Sequence, residues 1–325
     1  MPTFGGRFGR RADEPPAGHR VGDSTPRAPQ RARLGRRPAA AGAAARTRVI
    51  SARTQLAAVI GDPVEHSLSP AIHNAAFDAS GIDCVFLAFG IGTADLAAAV
   101  AGLRALGTAG LSVTMPHKSG IVPLLDRMTA AAQTIGAVNC VSREGTDLAG
   151  HNTDGDGLVD ALREAGSDPG GRRCLVLGAG GAARAAVFTL GRAGAATVAV
   201  RSRRPAAAAA AANLAGPAGV VAAAGSSPYD LIVNATPLGM RLGDPVPVDP
   251  HEISAGQTVV DLAYAQGSTP LLAAASAAGA VPIDGTTVLL HQAARAFEIW
   301  TGRPAPLDAM RGALRQAQDE GKLDR

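Results

Sequence analysis

CLVLGAGGAARAAVFTLGRAGAATVAVRSRR, residues 174–204, is the stretch on which the fold turns. It opens with the apolar run Cys174–Leu177, which is short and bounded by glycine and so reads as a buried strand. Gly178, Gly180 and Ala183 follow at the spacing G-x-G-x-x-A and run into an alanine-rich helix that includes Gly181 and Ala182. A second apolar run, Thr197–Val200, closes the unit. Strand, glycine turn, helix and strand in about thirty residues is the plan of a dinucleotide-binding βαβ unit. The first glycine permits the tight turn and the second lets backbone approach a pyrophosphate. The small third residue lets the helix pack close, and the helix N-terminus offers N–H donors to the anion. An ordinary glycine turn in an α/β sheet shares the bare spacing; the surrounding strand–helix–strand context favours the dinucleotide.

The residues after the second strand indicate which dinucleotide. A site for the unphosphorylated cofactor places Asp or Glu there to bind the ribose 2′-hydroxyl. Between Pro169 and Tyr229 the chain has no acidic residue; it has Arg201, Ser202, Arg203 and Arg204. Guanidinium groups match a 2′-phosphate that a carboxylate would repel, which points to NADP. A solvated basic turn is the plainer alternative for these arginines.

The 325 residues are 46% hydrophobic, enough for substantial cores and two domains. A pI near 9.4 invites a nucleic-acid reading, but the charge is unevenly placed. Residues 1–48 hold eleven arginines and three acids, net +8, and the remaining residues hold twenty basic against twenty-four acidic side chains, net −4. The body of the chain is mildly acidic, so no nucleic-acid partner is expected. The three cysteines, Cys84, Cys140 and Cys174, are widely spaced in apolar sequence with no metal-ligand pattern. Buried thiols in a reducing, cytoplasmic setting and no metal follow. No apolar run approaches the ~20 residues of a membrane span.

Residues 1–53 read as a basic, disordered tail, rich in Arg, Pro, Gly and Ala without apolar periodicity. A strand at Leu56–Ile60 turns at Gly61-Asp62-Pro63 into His66-Ser67-Leu68-Ser69-Pro70. A helix then runs to Ser80, with Ser69 as its cap and Pro70 as its first residue. Capping explains Ser69 and leaves Ser67 over; two hydroxyls at a helix N-terminus also suit a carboxylate. A strand at Cys84–Phe89, a helix at Thr93–Leu106 and a strand at Gly110–Val113 follow, and the last leads to Thr114-Met115-Pro116-His117-Lys118. A helix Leu124–Ile135 precedes Gly136-Ala137-Val138-Asn139, and Gly150–Gly155 opens a helix Asp156–Ala165. Leu231–Val233 ends in Asn234-Ala235-Thr236-Pro237-Leu238-Gly239-Met240, and Val259–Asp261 ends in Leu262-Ala263-Tyr264. Residues just past strand C-termini face the ligand crevice of an open parallel sheet. Thr287–Arg315 is helical, with Gln292 the polar residue near its apolar face.

Seven of these motifs in register resemble the shikimate dehydrogenase family: GDPVEHSLSPAIHN (61–74), VTMPHK (113–118), GAVN (136–139), GHNTDGDG (150–157), GAGGAAR (178–184), NATPLGM (234–240) and HQAARAFEIWTG (291–302). The resemblance spans about residues 55–315 and excludes the tail. It implies reversible reduction of 3-dehydroshikimate to shikimate with NADPH, in the route to chorismate and the aromatic amino acids. It further implies Lys118 and Asp154 as catalytic residues and Ser67, Ser69, Thr114, Asn139 and Gln292 as substrate-binding ones. The cofactor would meet Gly178, Gly180, Gly181, Ala182, Ala183, Arg201, Ser202, Arg203, Asn234, Ala235, Thr236, Leu262, Tyr264 and Gly285. The residue types fit without the family name. Hydride delivery to a ketone leaves an alkoxide that a cationic acid can stabilise or protonate, and a carboxylate can orient that cation. Lys118 suits either role, proton donor or fixed cation; alone in sequence it could be a surface charge, and His117 beside it reads as structural.

The chain departs from the family pattern at Ser112, where Asn is usual, and at Arg201-Ser202-Arg203, where N-R-T is usual. Gln266 stands for a usual Pro and Val288 for a usual Met. Ser112 leaves quinate as an alternative substrate, and an NADP-sensing homologue without turnover is an alternative of another class. The expected architecture is α/β. A substrate domain (54–153, completed by helices in 287–325) joins a Rossmann-like NADP domain with a parallel sheet (154–286), with the site between them, in a monomer or homodimer. If the tail is no part of the enzyme, a chain starting at Val49 keeps its melting temperature and turnover; a large loss of either in thermal melts or initial rates refutes this.

Overall fold

The computed structural model describes residues 49–223, 228–241, 243–264 and 268–323. Most of the tail, and Gln266, lie outside the described residues. Two six-stranded sheets form the frame. The first contains β1 (Gln55–Gly61), β2 (Cys84–Gly90), β3 (Gly110–Val113), β4 (Arg127–Met128), β5 (Cys140–Glu144) and β6 (Asp147–His151), in the order β2-β1-β3-β5-β6-β4. It is mixed: β1 pairs parallel with β2 and β3, while β5 runs antiparallel to β3 and β6. Helices α1 (Ser69–Ala79), α2 (Leu96–Ala105) and α3 (Ala130–Ile135) accompany it.

The second sheet contains β7 (Arg173–Leu177), β8 (Thr197–Arg201), β9 (Gly219–Val221), β10 (Leu231–Asn234), β11 (Thr258–Asp261) and β12 (Val281–Asp284). Its order is β12-β11-β10-β7-β8-β9, and every pairing is parallel. The chain winds from β7 to one edge and then from β10 to the other, so the strand order reverses between β7 and β10. Its helices are α4 (Asp154–Glu164), which leads in, α5 (Gly181–Arg192), α6 (Pro205–Ala212) and α7 (Pro270–Ala277). Two last helices, α8 (Gly285–Thr301) and α9 (Leu307–Leu323), return to the first sheet.

Alternation along each strand builds the cores. Cys174 and Val176 pack with Leu158, Val187 and Leu190 on one face of the second sheet; Leu175 and Leu177 pack with Leu271 and Ala275 on the other. Because both faces are covered, the strands read as continuous apolar runs rather than alternating ones. In the first sheet Ala57 and Val59 meet α1, α8 and α9 through Phe77, Phe297 and Met310, and Ala58 and Ile60 meet Leu96, Val100 and Ile121.

Several sequence expectations are corrected. Leu124–Ile135 is not one helix: Val122–Leu124 is a single 3-10 turn, Arg127–Met128 pairs with β6, and only Ala130–Ile135 is α-helical. The Asp126 carboxylate accepts from Leu148 N–H at 2.7 Å and from Arg104, which holds the segment extended against β6 until Thr129 caps α3. Thr287–Arg315 breaks at left-handed Gly302, followed by Pro304 and Pro306. The helix expected at Asp156 starts at Asp154, and Thr93–Asp95 is a 3-10 turn before α2. Ser69 is the first residue of α1 rather than its cap, and Pro70 is second; no side chain caps that end.

α1 also closes the exposed edge of the first sheet. The Asn74 amide donates to the Phe86 carbonyl and accepts the Phe86 N–H, both at 2.9 Å, and so occupies the outward pair of backbone groups on edge strand β2. This blunts an uncharged, apolar edge that would otherwise invite strand pairing. Among the described residues no helix is long and apolar enough to cross a membrane.

Next to Asn74, His73 is fully buried, stacked on Phe86 at 4.5 Å between centroids and tilted against Trp300 at 4.9 Å. Among the described residues neither ring nitrogen has a hydrogen-bond partner. Burial pushes the imidazole down to about 3 from an ordinary 6.5. A depressed pKa means that protonation favours the unfolded chain. The stability is therefore whole above pH 6.5, falls as pH drops from 6.5 toward 3, and loses up to about 4–5 kcal/mol. His73→Leu is expected to flatten this acid limb in urea titrations between pH 7 and 4; an unchanged pH slope refutes it.

Candidate active site

β3 ends at Val113, and the turn that follows carries Thr114 and Lys118. The Thr114 N–H donates to Ile60 O at 2.9 Å, and the Lys118 carbonyl accepts Val138 N–H at 2.7 Å. The Lys118 Nζ lies 2.6 Å from Asp154 Oδ2, with the two side chains 18% and 14% exposed. Asp154 is in the first turn of α4 together with Asp156, where the helix N-terminus favours negative charge. The amide nitrogen of Asn139, a residue 3% exposed, lies 2.8 Å from the other Asp154 oxygen and 2.9 Å from both Thr153 Oγ1 and Gln292 Oε1, three acceptors that share its two N–H groups. The Asn139 oxygen accepts Thr153 N–H at 2.7 Å.

Four segments far apart in sequence thus converge on one network of Lys118, Asn139, Thr153, Asp154 and Gln292. A nearly buried ion pair is costly unless both partners are fixed and hydrogen-bonded, and here they are. The carboxylate is aimed at the ammonium by Asn139 on one oxygen, while the ammonium keeps donors for a reacting oxygen.

Gln292 reaches this network because α4 and α8 cross closely. A Cβ on Gly157 would lie 2.6 Å from the Gln292 backbone nitrogen. Thr153, which the sequence reading did not single out, donates to the Gln292 carbonyl at 3.1 Å. Its signal was its place between Asn152 and Asp154 in the GHNTDG stretch.

The remaining sequence-expected residues fall around this centre. Ser67 and Ser69 follow β1, and Ser69 N–H donates to Ser67 Oγ at 3.3 Å. The turns after β1 and β3 touch, since Asp62 N–H donates to the Met115 carbonyl at 2.9 Å. Among the described residues, Ser67, Ser69 and Thr114 make no hydrogen bond to the Lys118 network. His117 is buried with Nε2 2.6 Å from the Ile91 carbonyl, in keeping with a structural role.

The cofactor residues border the strand-order reversal. Gly178 has φ 113°, and a Cβ there would meet the Ala235 carbonyl at 2.9 Å, so the turns after β7 and β10 can adjoin only with glycine. Gly180 precedes α5 with no side-chain cap, and a Cβ there would meet nothing within 4 Å. The start of α5 is thus uncapped and uncrowded at Gly180, which fits the approach of a pyrophosphate. Ala182 lies in that first turn, and Ala183, fully buried, packs α5 on the sheet. Gly181 brings the same turn close to the lysine: its Cβ would lie 3.7 Å from the Lys118 Cβ.

Asn234 turns inward from the strand end. It is fully buried and its amide is spent inside the loop: it donates to Leu238 O at 3.0 Å and Asp261 Oδ1 at 2.8 Å, and accepts from Thr236 N–H and Oγ1. It shapes the turn bearing Ala235 and Thr236, its amide engaged on both the donor and the acceptor side. Asp261, missed in the sequence though it ends an apolar strand, binds Asn234, Thr269 Oγ1 at 2.6 Å and Ala263 N–H at 3.1 Å. Burial pushes its carboxyl up, against those three bonds. Leu262 N–H donates to the Asn234 carbonyl, Gly285 packs under Asp261 and Leu262, and burial raises the Tyr264 phenol.

Arg201 is not a free cation. Its guanidinium makes two bonds to Glu252, at 2.8 and 2.7 Å. The absence of acid between Pro169 and Tyr229 does not extend to three dimensions. Ser202 is half-buried and its hydroxyl accepts Arg204 N–H at 3.4 Å; Arg203 and Arg204 are exposed, with no side-chain ion pair among the described residues.

Residues 59–141 match the family model described as the shikimate dehydrogenase substrate binding domain, and residues 285–315 match that of the shikimate 5'-dehydrogenase C-terminal domain. The chain is 46% identical over 281 residues to a shikimate dehydrogenase (NADP(+)) of Moorella thermoacetica, covering 82% of this chain and 95% of that one. It belongs to the shikimate dehydrogenase family. A crystal structure of the Thermus thermophilus enzyme in complex with NADP(H) and shikimate superposes with TM-score 0.73 at 35% identity, over 81% of this chain and 99% of that one. A quinate dehydrogenase from Corynebacterium glutamicum in complex with NAD superposes equally, TM-score 0.73 at 30% identity, over 81% and 99%.

Proposed function

We propose that this protein is an NADP-dependent shikimate dehydrogenase, interconverting 3-dehydroshikimate and shikimate in aromatic amino acid biosynthesis. The observation that carries the reading is the Lys118–Asp154 pair at 2.6 Å, set against the N-terminus of the glycine-turn helix. The nicotinamide cofactor supplies or accepts the hydride. Gly178, Gly180, Gly181 and the first-turn N–H groups of α5 would hold its pyrophosphate, and Ala235, Thr236, Leu262 and Tyr264 would border its nicotinamide end.

Lys118 holds a proton at the carbonyl oxygen and stabilises the alkoxide as negative charge develops there. Asp154 fixes the ammonium and shares the proton, and Asn139 keeps the carboxylate turned toward Lys118. Ser67 and Ser69 suit the substrate carboxylate, and Thr114 and Gln292 suit its hydroxyls. The division into a substrate domain at 54–153, completed by the helices from 287, and a cofactor domain at 154–286 follows the two sheets. A cytoplasmic setting is supported by three buried thiols.

Lys118→Ala should cut turnover by roughly 10²–10⁴ while changing the Michaelis constant for shikimate far less. Asp154→Asn should lose a similar factor, and the double variant much less than the product of the two. Steady-state rates of the three variants decide this; multiplicative losses refute a coupled pair, and normal turnover in Lys118→Ala refutes the mechanism.

Quinate is the second reading, favoured by the quinate dehydrogenase superposition and by Ser112. Ser112 lies half-buried on β3, paired with Val59 and Cys140. The shorter side chain leaves room near the ring, so Ser112→Asn should lower quinate relative to shikimate oxidation. An unchanged ratio in paired assays removes this reading.

A further inference from the structure

Arg201 closes β8 beside the glycine turn. Its carbonyl accepts Gly178 N–H at 2.8 Å, and it stands in register with Leu177. The end of this second strand is where a Rossmann sheet reads the ribose 2′ group. The partner that meets Arg201 there, Glu252, comes from 51 residues further along the chain.

Glu252 is held by a built scaffold. It ends the 3-10 turn Pro250–Glu252, capped by Asp249, whose carboxylate accepts His251 N–H at 3.0 Å. Gln257, 4% exposed, donates to the carbonyls of Glu252 at 3.2 Å and Tyr229 at 2.7 Å, and accepts Ser254 N–H at 2.7 Å. The Arg201 and Glu252 side chains are 30% and 19% exposed. Arg201 holds the Glu252 carboxyl below its usual range, and Glu252 in turn raises Arg201, so both are charged at neutral pH.

A carboxylate bound to both terminal nitrogens occupies the face of the guanidinium that matches a phosphate best. It also places a fixed negative charge where a 2′-phosphate would bring its own. The pair contributes no net charge, and the cations left at this strand end are Arg203 and Arg204.

We propose that Glu252 sets the cofactor preference: its carboxylate cancels Arg201 at the ribose position, leaves the 2′-phosphate to Arg203 and Arg204, and narrows the margin by which NADP is preferred over NAD. The inference rests on the cofactor reading above and concerns a residue that no motif contains. It predicts that removing a negative charge improves binding of the more negative cofactor, a direction a merely structural residue would not give.

The test is calorimetric or fluorescence titration of the full chain with NADPH and NADH, together with ligand-free melting temperatures. Glu252→Gln keeps an acceptor for Arg201 and removes the charge, and should tighten NADPH about tenfold while leaving NADH within about twofold. Arg201→Gln, which leaves Glu252 unpaired, should weaken NADPH by about tenfold or more and NADH little. The double variant Arg201→Gln with Glu252→Gln carries no ion that needs a partner, and should return NADPH to within about threefold of the parent. Unchanged or weaker NADPH binding in Glu252→Gln, equal shifts for both cofactors, or a double variant that specifically loses NADPH overturns the proposal. A parent that binds neither dinucleotide overturns the cofactor reading and this inference with it.

Discussion

The crossing of α4 over α8 is the constraint on which the site depends. No side chain fits at Gly157, because the Gln292 backbone already occupies the space. That closeness sets the Thr153 hydroxyl on the Gln292 carbonyl and the Gln292 amide oxygen on Asn139. α4 begins with Asp154, and α8 begins at the end of β12 in the second sheet and ends packed on the first. One helix crossing therefore fixes both the carboxylate of the ion pair and the relation of the two sheets around it. A methyl group at residue 157 would meet the Gln292 backbone and force the helices apart.

Within that frame, burying Lys118 against Asp154 is tolerable because the carboxylate is hydrogen-bonded on both oxygens. One carboxylate oxygen takes the ammonium and the other takes the Asn139 amide, and the start of α4 adds the helix dipole. Such an arrangement contributes little net stability compared with an apolar pair of the same shape. Its effect is on direction: the carboxylate holds the ammonium in one place.

Much of this was legible in the sequence for physical reasons. The second sheet's strands are buried on both faces, so they read as apolar runs, and glycine is demanded at the turn where Gly178 meets Ala235. Lys118, Asp154, Asn139 and Gln292 were each found at a strand end or helix face, and the structure joins them. What escaped were features made by tertiary contact. Residues 124–135 have helical composition, yet Asp126 bonds Leu148 and draws the first half into the sheet. Asn234 sits at a strand end, and only the fold shows its amide bonded to neighbours brought to it by β11 and its own turn. Asp261 carries no motif signal of its own, and Thr153 only its place inside the GHNTDG stretch.

The C-terminal end of β8 shows how far a sequence argument about charge can go. Counting acids between Pro169 and Tyr229 treats charge as a property of a segment, and by that count the ribose position is strongly basic. Charge acts through space, and a carboxylate 51 residues away is as effective as one next door once a folded turn delivers it. The arginines after β8 are therefore not equivalent. Arg201, nearest the strand and most buried, is the one whose charge is matched; Arg203 and Arg204, further out, keep theirs in solvent. Which of these cations is left unmatched is assigned only by the fold.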